Sequence, residues 1–352
     1  MIAVQKYAYI NARLRARLSA LLEEETVYKM IQAVSVEEAM MQLSGTAYES
    51  FYGSYKKHGD LMLAEQALIE VHMRYITQIG AGLTSEIRSF VQALLILQEV
   101  RFLKTALRVW FYREVSAKNR SYLSMQSGEM YIAYLINYDN LMASTSLADI
   151  AGQLKLTPYA GIIEKHAPDV MRDQTLYSLE VALDRYALTN LHNKSMLLPA
   201  TEQIAVKSIL GRYIDLENIV YGKGKVLYGA EDPALFEGEF VLGGIALTKE
   251  KWMEVIFNDA ALKELISQWY PSLEHKVSEV PVSTLMQYAQ DRLYEEGGRR
   301  ALMQYPFSSV SIVAYFLLIE RDIRRIITLF NGKAYGLDET TLMSRIALHV
   351  ES

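Results

Sequence analysis

The chain contains "DLENIVYGKGKVLYG" at residues 215–229 and, 107 residues further on, "DIRRIITLFNGKAYG" at residues 322–336. Both stretches begin with Asp, have Ile four residues later and end with Tyr-Gly. At the same offset, Asp184-Arg185 recurs as Asp291-Arg292. Self-similarity at a fixed spacing indicates that one structural unit is repeated within the chain.

A second pattern extends this repeat to the whole chain. The motif Leu-x-x-Thr-x-Tyr occurs in "LSGTAY" (43–48) and "LKLTPY" (154–159), and "LISQWY" (265–270) keeps its Leu and Tyr. The three tyrosines, Tyr48, Tyr159 and Tyr270, are evenly spaced, and each is followed 51 to 56 residues later by an acidic residue of an apolar segment: Glu99, Asp215 or Asp322. A period of about 110 residues is too long for a solenoid unit and matches a small domain. We predict three domains of one fold, at residues 1–112, 113–225 and 226–352.

The hydrophobic pattern predicts an all-α protein. In the opening segment, Ile10, Leu14, Leu18 and Leu21 form one stripe of an amphipathic helix. Seven prolines in 352 residues leave long helices unbroken. The exceptions that we expect are a short strand near "EFVLGGIAL" (239–247) and inter-helix loops at Gly222–Gly244 and Pro271–Pro281.

The repeated residues have structural interpretations. Asp215 and Asp322 are expected in the first turns of helices, where a carboxylate is favoured by the helix dipole. Gly229 and Gly336 are expected where helices end, because glycine adopts positive φ at little cost. The repeated tyrosines are expected at the edge of the core with a hydrogen-bond partner for the hydroxyl. We also expect the opening helix to lie against the closing segment, since the two would complete one repeated unit.

The composition excludes several classes of protein. The chain has no cysteine, which excludes disulfides, thiolate metal sites and a cysteine nucleophile. Its formal net charge of -5 does not favour a nucleic-acid surface. Its most apolar run, "VSIVAYFLLI" (310–319), stops at Glu320. That run is about half the length that a bilayer requires, so we expect no membrane span.

No motif in the sequence indicates catalysis or cofactor binding. Among the six histidines, no two lie within one helical turn, so no local metal pair is present. The segment "GKGKVLYG" (222–229) lacks the spacing of a phosphate-binding loop, and the chain has no Gly-x-Ser-x-Gly motif. We therefore predict no catalytic residue, no bound metal and no cofactor.

Several segments resemble one known family, the C subunit of rotary V-type and A-type ATPases, whose counterpart in the vacuolar enzyme is the d subunit. The opening "YAYINARLRARLSALL" (7–22) resembles the first helix of this family, and "FSSVSIVAYFLLIERDIRRIITLFNGKAYGL" (307–337) resembles its closing segment. "ALDRYAL" (182–188) and "DLENI" (215–219) are similar to its middle domain. The resemblance is spread over the whole chain and agrees with the threefold repeat.

This resemblance implies a fold and a function. Members of the family have three similar helical domains around a pseudo-threefold axis, which form a funnel with a central hollow. They are peripheral proteins on the cytoplasmic face of the membrane, where they link the proteolipid (c/K) ring to the central shaft of the D and F subunits. They transmit torque coupled to proton or sodium transport and are not catalytic, since ATP hydrolysis or synthesis takes place elsewhere in the complex.

The residues by which such an adaptor would contact its partners are expected at loops and helix ends. We predict partner contacts at Lys223, Lys225 and Lys333, in two turns whose lysines would be solvated and lie near helix C-termini. Two other functions remain open from the sequence. The chain could be a helical scaffold without a central hollow, or an enzyme whose site is assembled between domains from residues far apart in sequence.

Overall fold

The computed structural model describes residues 2–81, 83–115, 129–227, 229–304 and 308–346. The described chain is almost entirely helical, which confirms the all-α class. It divides into two compact units, of which the first combines Met1–Lys56 with Ser195–Ser352 and the second is Lys57–Lys194. We describe each unit by itself.

The helices are named in chain order. The chain opens with α1 (Ile2–Leu18), α2 (Glu24–Gln32), α3 (Val36–Met41) and α4 (Glu49–His58). The second unit contains α5 (Leu61–Ala81), α6 (Ser85–Glu114), strands β1 (Glu129–Tyr131) and β2 (Leu135–Asn137), α7 (Tyr138–Ala143), α8 (Leu147–Gln153), α9 (Tyr159–Asp173) and α10 (Tyr177–Ser195). The remaining helices are α11 (Ala200–Leu227), α12 (Lys249–Phe257), α13 (Asp259–Trp269), α14 (Val282–Arg292), α15 (Gly298–Gln304), α16 (Val310–Ala334) and α17 (Glu339–Arg345). Short 3₁₀ segments occupy Pro233–Phe236 and Pro271–Lys276, and a π-helical segment, Leu293–Gly297, precedes α15.

A repeated cap starts one short helix in each third of the chain. Ser35, Ser146 and Asn258 precede α3, α8 and α13, and each side chain accepts a hydrogen bond from a backbone N–H in the first turn. Such caps satisfy donors that the helix itself leaves unpaired. The near-constant spacing of these caps matches the period found in the sequence.

The long helices α6, α11 and α16 form the cores of the two units. In the first unit α16 packs against α1, α3, α11, α15 and α17, and its residues from Val310 to Ile323 are buried. The contact between α1 and α16 confirms the expectation that the opening helix lies against the closing segment.

The positions of Asp215 and Asp322 correct one prediction. Neither aspartate lies in a first helical turn, because α11 begins at Ala200 and α16 begins at Val310. Both carboxylates are instead buried in the middle of a long helix, with side chains that are 0% exposed. The helix dipole therefore does not explain them, and other contacts must do so.

The expected strand at 239–247 is also wrong. The described strands are β1 and β2, which pair antiparallel elsewhere in the chain. The segment before α12 does not form a ladder because its backbone N–H groups bind side chains of α11. Val241 donates to the Asn218 amide oxygen at 2.8 Å, and Ala246 donates to the Asp215 carboxylate at 3.0 Å.

The predicted loops are right in part. The segment Pro271–Pro281 lies outside the α-helices, whereas α11 continues through Gly222 to Leu227. Gly222 therefore lies inside α11 rather than in a loop. Its missing side chain allows Trp252 to approach the helix closely, because a Cβ atom at this position would meet Trp252 Nε1 at 2.8 Å. Gly229 and Gly336 have φ of 93° and 71°, which confirms their predicted place after the long helices.

Candidate functional site: buried carboxylates and the predicted lysines

Asp322 binds the opening segment of the chain to α16. Its carboxylate accepts a hydrogen bond from the Tyr48 hydroxyl and another from the Leu22 backbone N–H at 2.9 Å. The Arg321 Nε atom lies 3.5 Å from the other carboxylate oxygen. Burial raises the pKa of Asp322, although Arg321 and the hydrogen bonds act in the opposite direction.

Glu99 has an equivalent place on α6 in the second unit. It accepts hydrogen bonds from the Tyr159 hydroxyl at 2.7 Å and from the backbone N–H groups of Ala133 and Tyr134 at 2.8 Å each. Burial raises the pKa of this carboxyl, and burial together with the neighbouring Glu99 charge raises the pKa of Tyr159 far above its ordinary range.

Asp215 is the corresponding residue of α11. It accepts hydrogen bonds from three successive N–H groups, those of Ile245, Ala246 and Leu247, at 3.0–3.3 Å. Gly244 is required here, because a Cβ atom at that position would lie 1.8 Å from the Asp215 carboxylate. The Tyr270 hydroxyl is buried and has no hydrogen-bond partner among the described residues.

These three contacts share one plan. A carboxylate in the middle of a long helix accepts hydrogen bonds from the backbone N–H groups of a non-helical segment, which precedes α2 or α12 or lies between β1 and β2. In two of the three sites it also binds the repeated tyrosine. The sequence identified the residues and their spacing, but not their contacts. The role that this arrangement supports is structural, since each carboxylate satisfies buried donors that would otherwise be unpaired.

The local motif before the tyrosine is the same in two repeats. The Thr46 hydroxyl donates to the Leu43 carbonyl at 2.7 Å and accepts from the Tyr48 N–H at 3.1 Å. The hydroxyl of Thr157 donates to Leu154 and accepts from Tyr159 at 2.8 and 3.2 Å. Leu-x-x-Thr-x-Tyr therefore codes for a turn that presents the tyrosine to the carboxylate.

Two of the predicted partner-binding lysines, Lys223 and Lys333, make the same kind of contact within the chain. The Lys223 Nζ atom donates to the Ile256 carbonyl at 3.0 Å and forms an ion pair with Asp259. The Lys333 Nζ atom donates to the carbonyls of Ile31 and Ala33 at 2.7 Å each. Each lysine thus satisfies carbonyls at the C-terminal end of a short helix, α12 or α2.

Lys225 is likewise engaged within the chain. Its ammonium donates to the Leu235 carbonyl and to Glu239, with the latter at 2.6 Å, and lies 4.9 Å from the Phe236 ring centre. The prediction that Lys223, Lys225 and Lys333 lie in solvated turns is wrong, because all three are inside helices. Lys223 and Lys225 have side chains that are only 9% and 16% exposed. Their role in partner binding stays a prediction.

The described residues offer neither a metal centre nor a helical membrane span. Within residues 2–81, 83–115, 129–227, 229–304 and 308–346, no group of three or more His, Asp or Glu side chains is arranged to hold a metal ion. In the same ranges, none of the helices combines the length and the apolar character needed to cross a bilayer.

The described residues form an almost entirely helical protein in which a carboxylate of each long helix makes a similar buried contact. The model of the family described as ATP synthase (C/AC39) subunit matches residues 10–345. The chain therefore belongs to this family, as its sequence motifs predict.

Curated relatives agree with the family match over nearly the whole chain. The C subunit of the A-type ATP synthase of Methanosphaera stadtmanae is 24% identical over 91% of this chain and 82% of its own length. The protein of the same name from Methanocaldococcus jannaschii is 21% identical over 98% and 87%. That of Halobacterium salinarum is 22% identical over 97% of both chains.

Proposed function

We propose that this chain is a non-catalytic central-stalk adaptor of a rotary V/A-type ATPase. It links the proteolipid ring of the membrane sector to the shaft of D and F subunits and transmits torque coupled to proton or sodium transport. The observation that carries this proposal is the family match over residues 10–345, together with relatives that are named as C subunits of A-type ATP synthases.

The proposed architecture is a funnel of three similar domains, at 1–112, 113–225 and 226–352, around a pseudo-threefold axis. The recurrence of one contact at Glu99, Asp215 and Asp322 supports it. Contacts of a heterologous kind close into a ring when the last unit meets the first. The bond from the Leu22 N–H to Asp322 is a contact of that kind, made by residues 300 positions apart.

The contacts also support a role in transmitting force. Side chains in the middle of α6, α11 and α16 are hydrogen-bonded to the backbone of non-helical segments. Buried networks of this kind make local motion costly, because every broken bond leaves an unpaired polar group in the interior. A torque-transmitting part on the cytoplasmic face of the membrane needs such stiffness and does not need an active site.

A co-purification experiment tests the adaptor role. We expect the tagged chain, expressed with the rest of its ATPase complex, to co-purify with the proteolipid ring and with the D and F subunits in fixed stoichiometry. Isolated chain should bind the isolated D–F shaft and should hydrolyse no ATP. Recovery of the chain without these subunits, or ATP turnover by the pure chain, would contradict the proposal.

The proposed partner contacts need a test that separates binding from folding. We expect the Lys223→Ala, Lys225→Ala, Lys333→Ala triple variant to lose affinity for the D–F shaft or the ring, more at low than at high salt. Because these lysines also satisfy backbone carbonyls, circular dichroism must show unchanged helix content. A folded variant with unchanged affinity for both partners would exclude them from the interface.

A further inference from the structure

A polar cavity of about 510 Å³ lies within the first unit, between α14, α16 and the end of α17. Four arginines line it: Arg321, Arg324, Arg325 and Arg345. Asp291 is the one carboxylate among the described lining residues. Four guanidinium groups around one cavity attract anions. The strength of this attraction depends on how many of the four are already paired with carboxylates of the chain.

The two buried arginines are compensated by carboxylates. Arg321 and Arg325 are 3% and 4% exposed. Arg325 pairs with Glu24 at 2.6 Å and with Asp291 at 3.1 Å, and Arg321 lies 3.2 Å from Glu295. These pairs explain how two guanidinium groups can be buried side by side.

The other two arginines are not compensated in this way. Arg324 donates to two neutral partners, the Gln290 amide oxygen at 3.0 Å and the Tyr294 hydroxyl at 2.6 Å. Arg345 is exposed and forms no ion pair with the part of the chain that the structure describes. Among the described residues, Arg324 and Arg345 therefore form no ion pair of their own, and these two guanidinium groups can pair with the oxygens of a phosphate group.

The shape of the cavity favours a small ligand. Its volume is in the range of small-molecule sites, and the two buried arginines are too recessed for a flat protein surface to reach. The donors suit phosphate oxygens, because guanidinium groups bind them in a bidentate manner and Thr328 and Gln287 add neutral donors. No aromatic face is available for a base among the described lining residues, since Arg324 covers the Tyr294 ring at 4.8 Å.

We propose that this cavity is a binding site for a phosphate-class oxyanion, of the size of phosphate or pyrophosphate. The phosphate group can belong to a free compound or to the headgroup of a lipid, and both present the same oxygens to the arginines. This inference goes beyond the adaptor role and does not depend on it.

The test is a calorimetric titration of the full chain with pyrophosphate, at constant ionic strength set with chloride. We expect saturable binding of one pyrophosphate per chain. Arg345→Gln should weaken it about tenfold, as expected for the loss of one charge-assisted contact, and Arg345→Lys should weaken it less. Because Arg345 is exposed, its replacement should leave the fold intact.

Control variants and a second arm complete the design. Arg300→Gln removes another exposed arginine of the same unit that does not line the cavity, and it should bind as the wild type does. Vesicles of phosphatidylcholine with and without phosphatidylglycerol test the lipid source, with Arg345→Gln again as the comparison. Binding to either probe that depends on Arg345 supports the site. The proposal is overturned if the chain binds neither pyrophosphate nor the vesicles with phosphatidylglycerol. It is also overturned if binding occurs and neither Arg345→Gln nor Arg324→Gln alters it.

Discussion

Asp322 on α16 and Glu99 on α6 each bind a tyrosine hydroxyl and a backbone N–H in the interior, yet their charges are balanced differently. Asp322 lies beside Arg321, and both Arg321 and Arg325 favour its ionised form. Glu99 has hydrogen bonds alone, and no basic side chain contributes to its pKa. The same contact is thus kept at two sites while its electrostatics differ, because the hydrogen-bond donors fix the geometry.

The largest effect is expected when the charge of Asp322 is removed. In Asp322→Asn, the amide can replace only part of the hydrogen bonding, and Arg321 loses a carboxylate in a buried site. Breaking a buried pair in this way costs about 3–5 kcal/mol. Glu99→Gln keeps an acceptor oxygen and removes a charge that has no cation, so it should cost about 1 kcal/mol. Urea unfolding followed by circular dichroism measures both.

The two variants should therefore differ clearly in their free energy of unfolding. Equal losses in the two variants would mean that Arg321 contributes nothing to Asp322 beyond what hydrogen bonds supply. A larger loss for Glu99→Gln would reverse the comparison, because it would make the hydrogen-bonded carboxylate the more important charge.

The repeated tyrosines provide the next test, with a matched control inside the chain. Tyr48→Phe and Tyr159→Phe each remove a hydroxyl that is bonded to a buried carboxylate, and should each cost about 1.5–3 kcal/mol in the free energy of unfolding. Tyr270→Phe removes a buried hydroxyl that has no partner among the described residues, so it should be neutral or slightly stabilising. A destabilised Tyr270→Phe variant would show that the third site makes the bond after all.

These pairs also show how far the sequence could predict the structure. The even spacing of Tyr48, Tyr159 and Tyr270 and the helical periodicity were sufficient for the all-α class, the repeat and the closing contact of α1 with α16. The partner of each tyrosine was not predictable, because the acidic residue that binds Tyr48 lies 274 positions away in the chain. Local spacing carries no signal for such a contact.

The errors at Asp215 and the lysines have one physical cause. Local rules place a carboxylate in a first turn and a lysine beside glycines in a solvated turn, since both positions are favourable in an isolated helix. Here tertiary contacts prevail: Asp215 binds the 245–247 backbone, and Lys223 and Lys333 bind carbonyls of other helices. The sequence likewise could not predict that Arg324 and Arg345 lack an ion pair among the described residues, because this depends on which carboxylates the fold brings near each arginine.

A pH titration of stability tests the raised pKa of Glu99. Burial raises its pKa above the ordinary value of 4.5. The folded chain then holds a proton on Glu99 that the unfolded chain has released, so this contribution to stability is full below the ordinary pKa and is lost as pH rises through the folded pKa. The stability difference between wild type and Glu99→Gln should change by about 1.4 kcal/mol per pH unit within that window.

The control for this titration has the opposite sign. Glu86, which is exposed in the first turn of α6, has a pKa lowered by hydrogen bonds of its own backbone and of Thr84 and Ser85. Its contribution is therefore present above its ordinary pKa and lost as pH falls. A wild-type to Glu99→Gln difference that follows the direction of Glu86→Gln would contradict the raised pKa of Glu99.

The smallest expected effect concerns the turn that presents the tyrosine. Thr46→Val and Thr157→Val keep the shape of the side chain and remove a hydroxyl that bonds one carbonyl and one N–H in each turn. Each should cost about 0.5–1.5 kcal/mol, and the two costs should agree because the two turns have the same contacts. The third repeat has Gln268 in this place, exposed and bonded to Glu264 at 3.2 Å, so Gln268→Ala should cost less than about 0.5 kcal/mol. Unfolding titrations of the three variants decide the matter. If the two threonine variants differ by more than their experimental error, the turns at Tyr48 and Tyr159 are not equivalent, and the different charges at Asp322 and Glu99 would then act on the turns as well as on the carboxylates.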